Sequence, residues 1–214
     1  MCTAASAAFV EFTTSSAAII NGGQNLIRVE VFARFNGATD TLLSVFNFQT
    51  EGGWTSNPNA ACGFWHKDNS GSGLSQTEGT WAPQLTSIAN RPFDSFVLIG
   101  GTPNANNTTA ADPSWGGAQL PPHYGESVNL SWFNSSPPNL QGRVGIAPNT
   151  ATTVKIAQFI ISATDPTNRM YSFTVGYNNG AGGPMTFGTD SVLCPTPGAI
   201  ALLGLVGLSK RRRR

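Results

Sequence analysis

The feature that most constrains the fold is a repeated alternation of apolar and polar side chains. From Tyr171 to Tyr177 every second residue is aromatic or branched, and the residues between them are Ser, Thr or Gly. A period of two places one face of a β-strand in a core and the other face in solvent. Comparable runs are Phe9–Phe12, Leu26–Phe35, Leu42–Phe48, Phe93–Ile99, Val128–Phe133, Val154–Ile161 and Met170–Tyr177.

Turn-forming dipeptides such as Gly22-Gly23 and Asn36-Gly37 separate several of these runs. Helical periodicity is absent before the C-terminal tail. The 214 residues fit a single all-β domain. We therefore predict an all-β fold, an antiparallel β-sandwich of jelly-roll or cohesin-like type, with two long loops and a short C-terminal hydrophobic helix.

The charge distribution excludes one class of partner. Five of the twelve basic residues form the terminal block 210–214, so the rest of the chain has seven basic residues against eleven acidic ones. A mildly acidic body with scattered charges lacks the basic patch that nucleic-acid binding requires. We predict no nucleic-acid partner.

The two long loops, roughly Thr50–Arg91 and Thr102–Ser127, contain most of the tryptophans. Loops of this length are usually functional or disordered, and disordered segments are poor in Trp. Two interpretations stay open: the indole rings pack into a core, or exposed rings stack on the apolar faces of a saccharide. The residues concerned are Trp54, Trp65, Trp81 and Trp115. Trp132, which lies in a strand, is expected in the core.

Catalytic motifs are absent, and we expect no enzymatic activity. Neither histidine lies in a recognisable catalytic pattern, and the three cysteines lack metal-ligand spacing, so no metal site is predicted. The oxygen-rich segments 68–70 and 104–112 leave Ca²⁺ as a weak candidate, although neither has the spacing of a calcium loop. Asx turns are the simpler explanation of both segments. The disulfide state of Cys62 and Cys194 stays open.

The C-terminal tail has three parts in a fixed order. Pro195-Thr196-Pro197 comes first, followed by an apolar run from Gly198 to Leu208 and a basic end. As a helix the eleven apolar residues span about 16 Å, which is short of the roughly 20 residues that cross a bilayer. The membrane-held side chains would be Ala199, Ile200, Ala201, Leu202, Leu203, Leu205, Val206 and Leu208. The basic stop would be Lys210, Arg211, Arg212, Arg213 and Arg214.

This tail resembles the PEP-CTERM sorting signal of exported bacterial proteins, with Thr196 where that family usually has Glu. The resemblance covers about twenty residues. It implies transient anchoring in the inner membrane, cleavage by a protease-transpeptidase of the exosortase type, and a final location at the cell surface or outside the cell. Extracellular polysaccharide would then be an available ligand.

The resemblance suggests three regions. Residues 1–8 are expected to be the remnant of a secretion leader, since 5–7 have the small-x-small form of a cleavage site. Residues 9–193 form the sandwich and residues 194–214 the sorting signal. The body is also similar to an uncharacterised family of exported bacterial β-proteins, through Val29–Phe35, Asp94–Phe96, Ile99–Gly101, Ala111–Trp115, Trp132–Ser135 and Pro137–Leu140. The sequence thus predicts an exported, non-enzymatic surface or matrix protein, with a carbohydrate-binding module as the alternative and a hydrolase third.

Overall fold

The computed structural model describes residues 8–50, 64, 81–84, 91–112, 130–163, 170–180 and 183–193. These residues form nine β-strands and two single turns of 3₁₀ helix. The strands are β1 (Phe9–Asn21), β2 (Gln24–Phe35), β3 (Thr41–Thr50), β4 (Phe96–Val97), β5 (Thr109–Ala111), β6 (Trp132–Asn134), β7 (Thr153–Ser162), β8 (Met170–Asn178) and β9 (Thr186–Leu193).

The strands form two antiparallel sheets, which confirms the predicted β-sandwich. One sheet has four strands in the order β1-β2-β7-β4, and the other has five in the order β5-β6-β3-β8-β9. β1 and β2 are joined at Gly22 and Gly23, both with positive φ, a conformation that glycine adopts without steric cost. In the four-stranded sheet, β2 pairs along most of its length with β1 on one side and with β7 on the other.

A stack of aromatic rings joins the two sheets. The ring of Phe48 on β3 lies between those of Phe159 on β7 and Phe173 on β8, with centroid distances of 5.1 and 4.8 Å and interplanar angles of 7° and 8°. Trp132 meets Phe48 edge-on at 6.1 Å. All four side chains are at most 1% exposed. The core is therefore centred on Phe48, which contacts both sheets.

A bulge in β3 directs Phe48 inward. Asn47 has a φ of 55°, and the β3–β8 register shifts between Phe46 and Gln49. A regular strand would place Phe46 and Phe48 on the same face, because side chains alternate with a period of two. With the extra residue, Phe46 faces outward and Phe48 enters the core.

Several predicted boundaries were wrong. β1 continues nine residues beyond Phe12, to Asn21, and β9 was not predicted at all. β4 and β6 are shorter than the runs Phe93–Ile99 and Val128–Phe133. The predicted loop Thr102–Ser127 contains the short strand β5, which pairs with β6.

Parts of the other long connection pack on the sandwich. Phe64 forms an isolated bridge with Ile161, and both Phe64 and Trp81 are 2% exposed members of the core. The predicted leader remnant, apart from Ala8, and the whole tail from Cys194 onward lie outside the described residues. Within the described ranges, no helix has the length and hydropathy needed to cross a membrane.

The aromatic stack yields a stability prediction. Phe48→Ala removes a ring that contacts both sheets and leaves a cavity, so we expect a loss of about 3–5 kcal/mol in the free energy of unfolding. Urea denaturation monitored by circular dichroism measures this loss. Phe46→Ala, which removes an outward ring two residues away, is the matched control and should cost much less. Equal losses in the two variants would contradict the central role of Phe48.

Candidate functional site

The outward face of the five-stranded sheet carries a row of side chains across four strands. Phe133 on β6 lies opposite Ser44 on β3, Ser44 lies opposite Gly176 on β8, and Gly176 lies opposite Phe187 on β9. Three interstrand spacings separate the two phenylalanines, a distance of about 14 Å. The small residues Ser44 and Gly176 lie between them, and the sulfur of Met185 and the ring of Phe187 lie close to Gly176. We call this surface the aromatic face and include Phe46 and Met185 in it.

Gly176 allows neighbouring side chains to pack closely over β8. A Cβ atom at this position would lie 2.6 Å from Oγ of Ser44 and 2.9 Å from Sδ of Met185, so no side chain fits without displacing them. The rings of Phe46 and Phe187 also meet on this face, edge to face at a centroid distance of 5.9 Å. The aromatic face therefore has a defined geometry.

The aromatic face is exposed and uncharged. Phe187 is 60% exposed, Met185 47% and Phe133 44%. The outward positions described on β3, β6, β8 and β9 carry hydroxyl, amide or apolar side chains and no charge; their hydroxyl residues are Ser44, Ser172, Thr174, Thr189 and Ser191. Contiguous exposed apolar surface usually marks an interaction site. Rings beside hydroxyl groups suit a neutral ligand that has both apolar faces and hydrogen-bonding groups.

Of the four loop tryptophans, only Trp81 lies within the described residues. Its side chain is 2% exposed and belongs to the core cluster, so its ring faces are not available to a sugar. The packing interpretation therefore applies to Trp81. Trp132 is fully buried and its Nε1 donates to the carbonyl of Leu98 at 3.1 Å, as expected for a core residue. Trp54, Trp65 and Trp115 lie outside the described residues.

The segment 104–112, considered above for Ca²⁺, forms Asx turns. Oδ1 of Asn104 accepts from N–H of Asn106 at 2.8 Å, and Oδ1 of Asn107 accepts from N–H of Thr109 at 3.0 Å. Nε2 of Gln141 donates to this same Asn107 oxygen at 3.0 Å. These amide oxygens therefore already accept hydrogen bonds within the fold. The other segment, 68–70, lies outside the described residues.

The described ranges contain no group of three or more His, Cys, Asp or Glu side chains that could hold a metal ion. Both histidines lie outside those ranges, as do Cys62 and Cys194.

A second surface feature is a cavity of about 290 Å³ at the outer face of the four-stranded sheet. Its lining includes Phe32 on β2, Lys155 on β7 and the segment 148–151 that precedes β7. Nζ of Lys155 contacts Oε1 of Glu30 at 2.6 Å and lies 5.6 Å from the ring centroid of Phe96. The cavity therefore offers a lysine that is already paired with a carboxylate.

Burial lowers the pKa of Lys155 from its ordinary value of 10.5. The hydrogen bond and the negative charge of Glu30 raise this pKa, and the nearby positive charge of Arg28 lowers it further. The Lys155 side chain is only 20% exposed. Since Glu30 compensates the lysine charge, the pair offers little net charge to an anionic ligand, and we regard it mainly as structural.

The aromatic face was not predicted from the sequence. Phe46 and Phe133 belong to apolar runs that also contain a core aromatic residue, Phe48 or Trp132, and Phe187 lies in a mixed run. Their common face depends on strand pairing and on the bulge at Asn47. One signal was present: the hydroxyl positions of Met170–Tyr177 indicate an outward face without charge.

The Lys155 pair predicts a pH dependence of stability. Because the folded state binds the lysine proton less tightly than the unfolded chain, stability should rise with pH between the lowered pKa and 10.5. Melting temperatures from pH 8 to 11 should show this rise in the wild type relative to Lys155→Met. In Glu30→Gln the stabilisation of the charged form is lost, so the rise should begin at lower pH. Identical profiles for the wild type and Lys155→Met would refute the assignment.

The described chain thus presents an uncharged aromatic face on one sheet and a cavity with a compensated lysine on the other. The first surface is better suited to binding, because its rings are exposed and its hydroxyl groups border them. Comparison with family models, with curated proteins and with solved structures finds no match.

Proposed function

We propose that this chain is an exported, non-enzymatic surface or extracellular-matrix protein whose C-terminal segment is a removable sorting signal. The observation that carries the proposal is the order of elements after Leu193: a Pro-Thr-Pro motif, an apolar run and a basic end. An exosortase-type enzyme of the inner membrane would cleave near Pro195–Pro197. The remaining domain would be released or attached outside the cell.

The position of the tail relative to the fold supports this proposal. All nine described strands precede Cys194, and β9 pairs with β8 along its whole length, from Thr186 to Leu193. Cleavage within 195–197 therefore removes no residue of a described strand. A sorting signal requires this separation, because the folded domain has to survive the loss of its tail.

The chemistry of the tail fits a temporary membrane attachment. If the apolar run formed a helix, it would span about 16 Å, which is shorter than the hydrocarbon layer of about 30 Å, so it would hold the chain weakly. The block Lys210–Arg214 would stay on the cytoplasmic side, in line with the positive-inside rule. Pro195 and Pro197 favour an extended backbone, which a protease active site can accept.

Processing can be tested by the intact mass of the protein isolated from its own cells. We expect the mature protein to lack Arg211–Arg214 and the apolar run. The double variant Pro195→Ala, Pro197→Ala should keep the full tail and remain in the membrane fraction. Thr196→Glu, which restores the usual family residue, is the matched control and should be processed normally. Recovery of wild-type protein with an intact basic end would refute the proposal.

The aromatic face favours a second candidate function, the binding of a neutral polysaccharide. The supporting observation is the exposed pair Phe133 and Phe187, which lie on strands about 14 Å apart with Ser44 and Gly176 between them. The apolar faces of sugar rings can stack on such aromatic rings, and sugar hydroxyls can bond to neighbouring Ser and Thr. The absence of charge from the outward positions described on this sheet favours a neutral polymer over an anionic one.

Affinity electrophoresis through gels that contain neutral polysaccharides tests this second candidate. We expect a retarded wild type and, for Phe133→Ala and Phe187→Ala, a dissociation constant at least about tenfold higher, because each change removes one stacking ring. Ile146→Ala removes an exposed apolar side chain from a turn outside this face and serves as the control.

Three results would contradict the assignment. Unchanged retardation of both phenylalanine variants would exclude the aromatic face. Loss of retardation only in Trp54, Trp65 or Trp115 variants would place the site on the loops. Release of reducing ends from the polymer would indicate a hydrolase.

A further inference from the structure

β1 is a long edge strand with few of the features that protect sheet edges. It has 13 residues and pairs with β2 on one side, and none of the described strands pairs with its other side. Its single charged residue, Glu11, is bonded to Arg34 on β2 at 2.7 Å. Natural edge strands are usually short, or carry Lys, Pro or a bulge. β1 contains neither Lys nor Pro, and its one register irregularity lies at its start, between Phe9 and Glu11.

The second half of β1 extends past its neighbour in the other sheet. A Cβ atom on Gly188 would meet the ring of Phe9, and Oγ1 of Thr14 donates to the carbonyl of Leu193 at 3.3 Å. β9 therefore runs beside β1 in the same direction, and its last described residue lies level with Thr14. Beyond that point lies Ser15–Asn21, which we call the free edge.

The free edge carries exposed apolar side chains. Ile20, near its end, is 67% exposed and is one of the two most exposed large hydrophobic residues in the described part of the chain. Ala18 and Ile20 lie an even number of positions after the buried Phe12. Because side chains alternate along a strand, they lie on the same, core-facing side of β1. Among the described residues, backbone groups without a strand partner and exposed apolar side chains therefore occur together on the free edge.

We propose that the free edge pairs with the free edge of a second copy of this chain, in antiparallel register about a two-fold axis near Ala18. An axis perpendicular to the sheet keeps the core-facing and outward sides of both copies aligned. The two four-stranded sheets would then form one eight-stranded sheet. Seven residues of pairing extend over about 23 Å and bring the exposed apolar side chains of each free edge against the other copy.

The chemistry of the free edge fits a second copy. A two-fold interface brings the same patch together twice, so any charge would meet a like charge near the axis. The sequence Ser-Ser-Ala-Ala-Ile-Ile-Asn carries none, and its small residues allow close approach of the backbones. Pairing of two such edges therefore brings no like charges together. This inference does not depend on export or processing, because it concerns only the folded sandwich.

The mass of the full chain in a non-ionic detergent, measured by sedimentation over a range of concentrations, tests the proposal. We expect a dimer for the wild type and a monomer for Ala18→Lys, because two ammonium groups would meet at the axis. Ala105→Lys adds the same charge at an exposed turn and should remain dimeric. All three proteins keep the tail, so association through the tail would affect their masses equally and would not produce a difference between them. Equal masses for all three would overturn the proposal.

Amide hydrogen exchange keeps the test valid if Ala18→Lys fails to fold. In the wild type, alternate amides of Ser15–Asn21 should become at least tenfold more protected when the protein concentration rises from dilute to dimeric conditions. Amides of β5, an edge strand of the five-stranded sheet, should not change. Protection of the free edge that is independent of concentration would mean that another part of the same chain covers it, and would refute pairing between copies.

Discussion

The contact on which the rest of the structure depends is the stacking of Phe48 between Phe159 and Phe173. It joins β3 to β8 in the same sheet and to β7 in the opposite sheet. It exists only because the bulge at Asn47 turns Phe48 inward. The same extra residue leaves Phe46 on the outside, where its ring meets Phe187. One backbone irregularity therefore contributes to both the core and the aromatic face.

Sequence patterns predicted the fold where a strand has one buried and one exposed face. β2, β7 and β8 were located to within two residues because their apolar positions alternate or form buried runs. β9 and the second half of β1 were missed because most of their side chains remain exposed or half-buried, so burial imposes no alternation on them. The bulge could not be predicted either, since in the sequence Phe46 and Phe48 are simply two apart.

The candidate site was harder to predict than the fold because exposure depends on the partner of each strand. Trp81 has the residue type expected of a sugar platform, yet it packs in the core. The exposed rings are instead phenylalanines, a type usually assigned to the interior. Their common face arises when β6, β3, β8 and β9 are placed side by side, which no local pattern encodes.

The charges described on the strands explain how the surfaces differ. Arg34 pairs with Glu11, and Lys155 pairs with Glu30, so the outer side of the four-stranded sheet has paired ions that are costly to bury. The aromatic face and the free edge of β1 require no such desolvation of charge. The two surfaces lie on different sheets, so the proposed pairing of one with a second copy leaves the other accessible to the proposed neutral polymer.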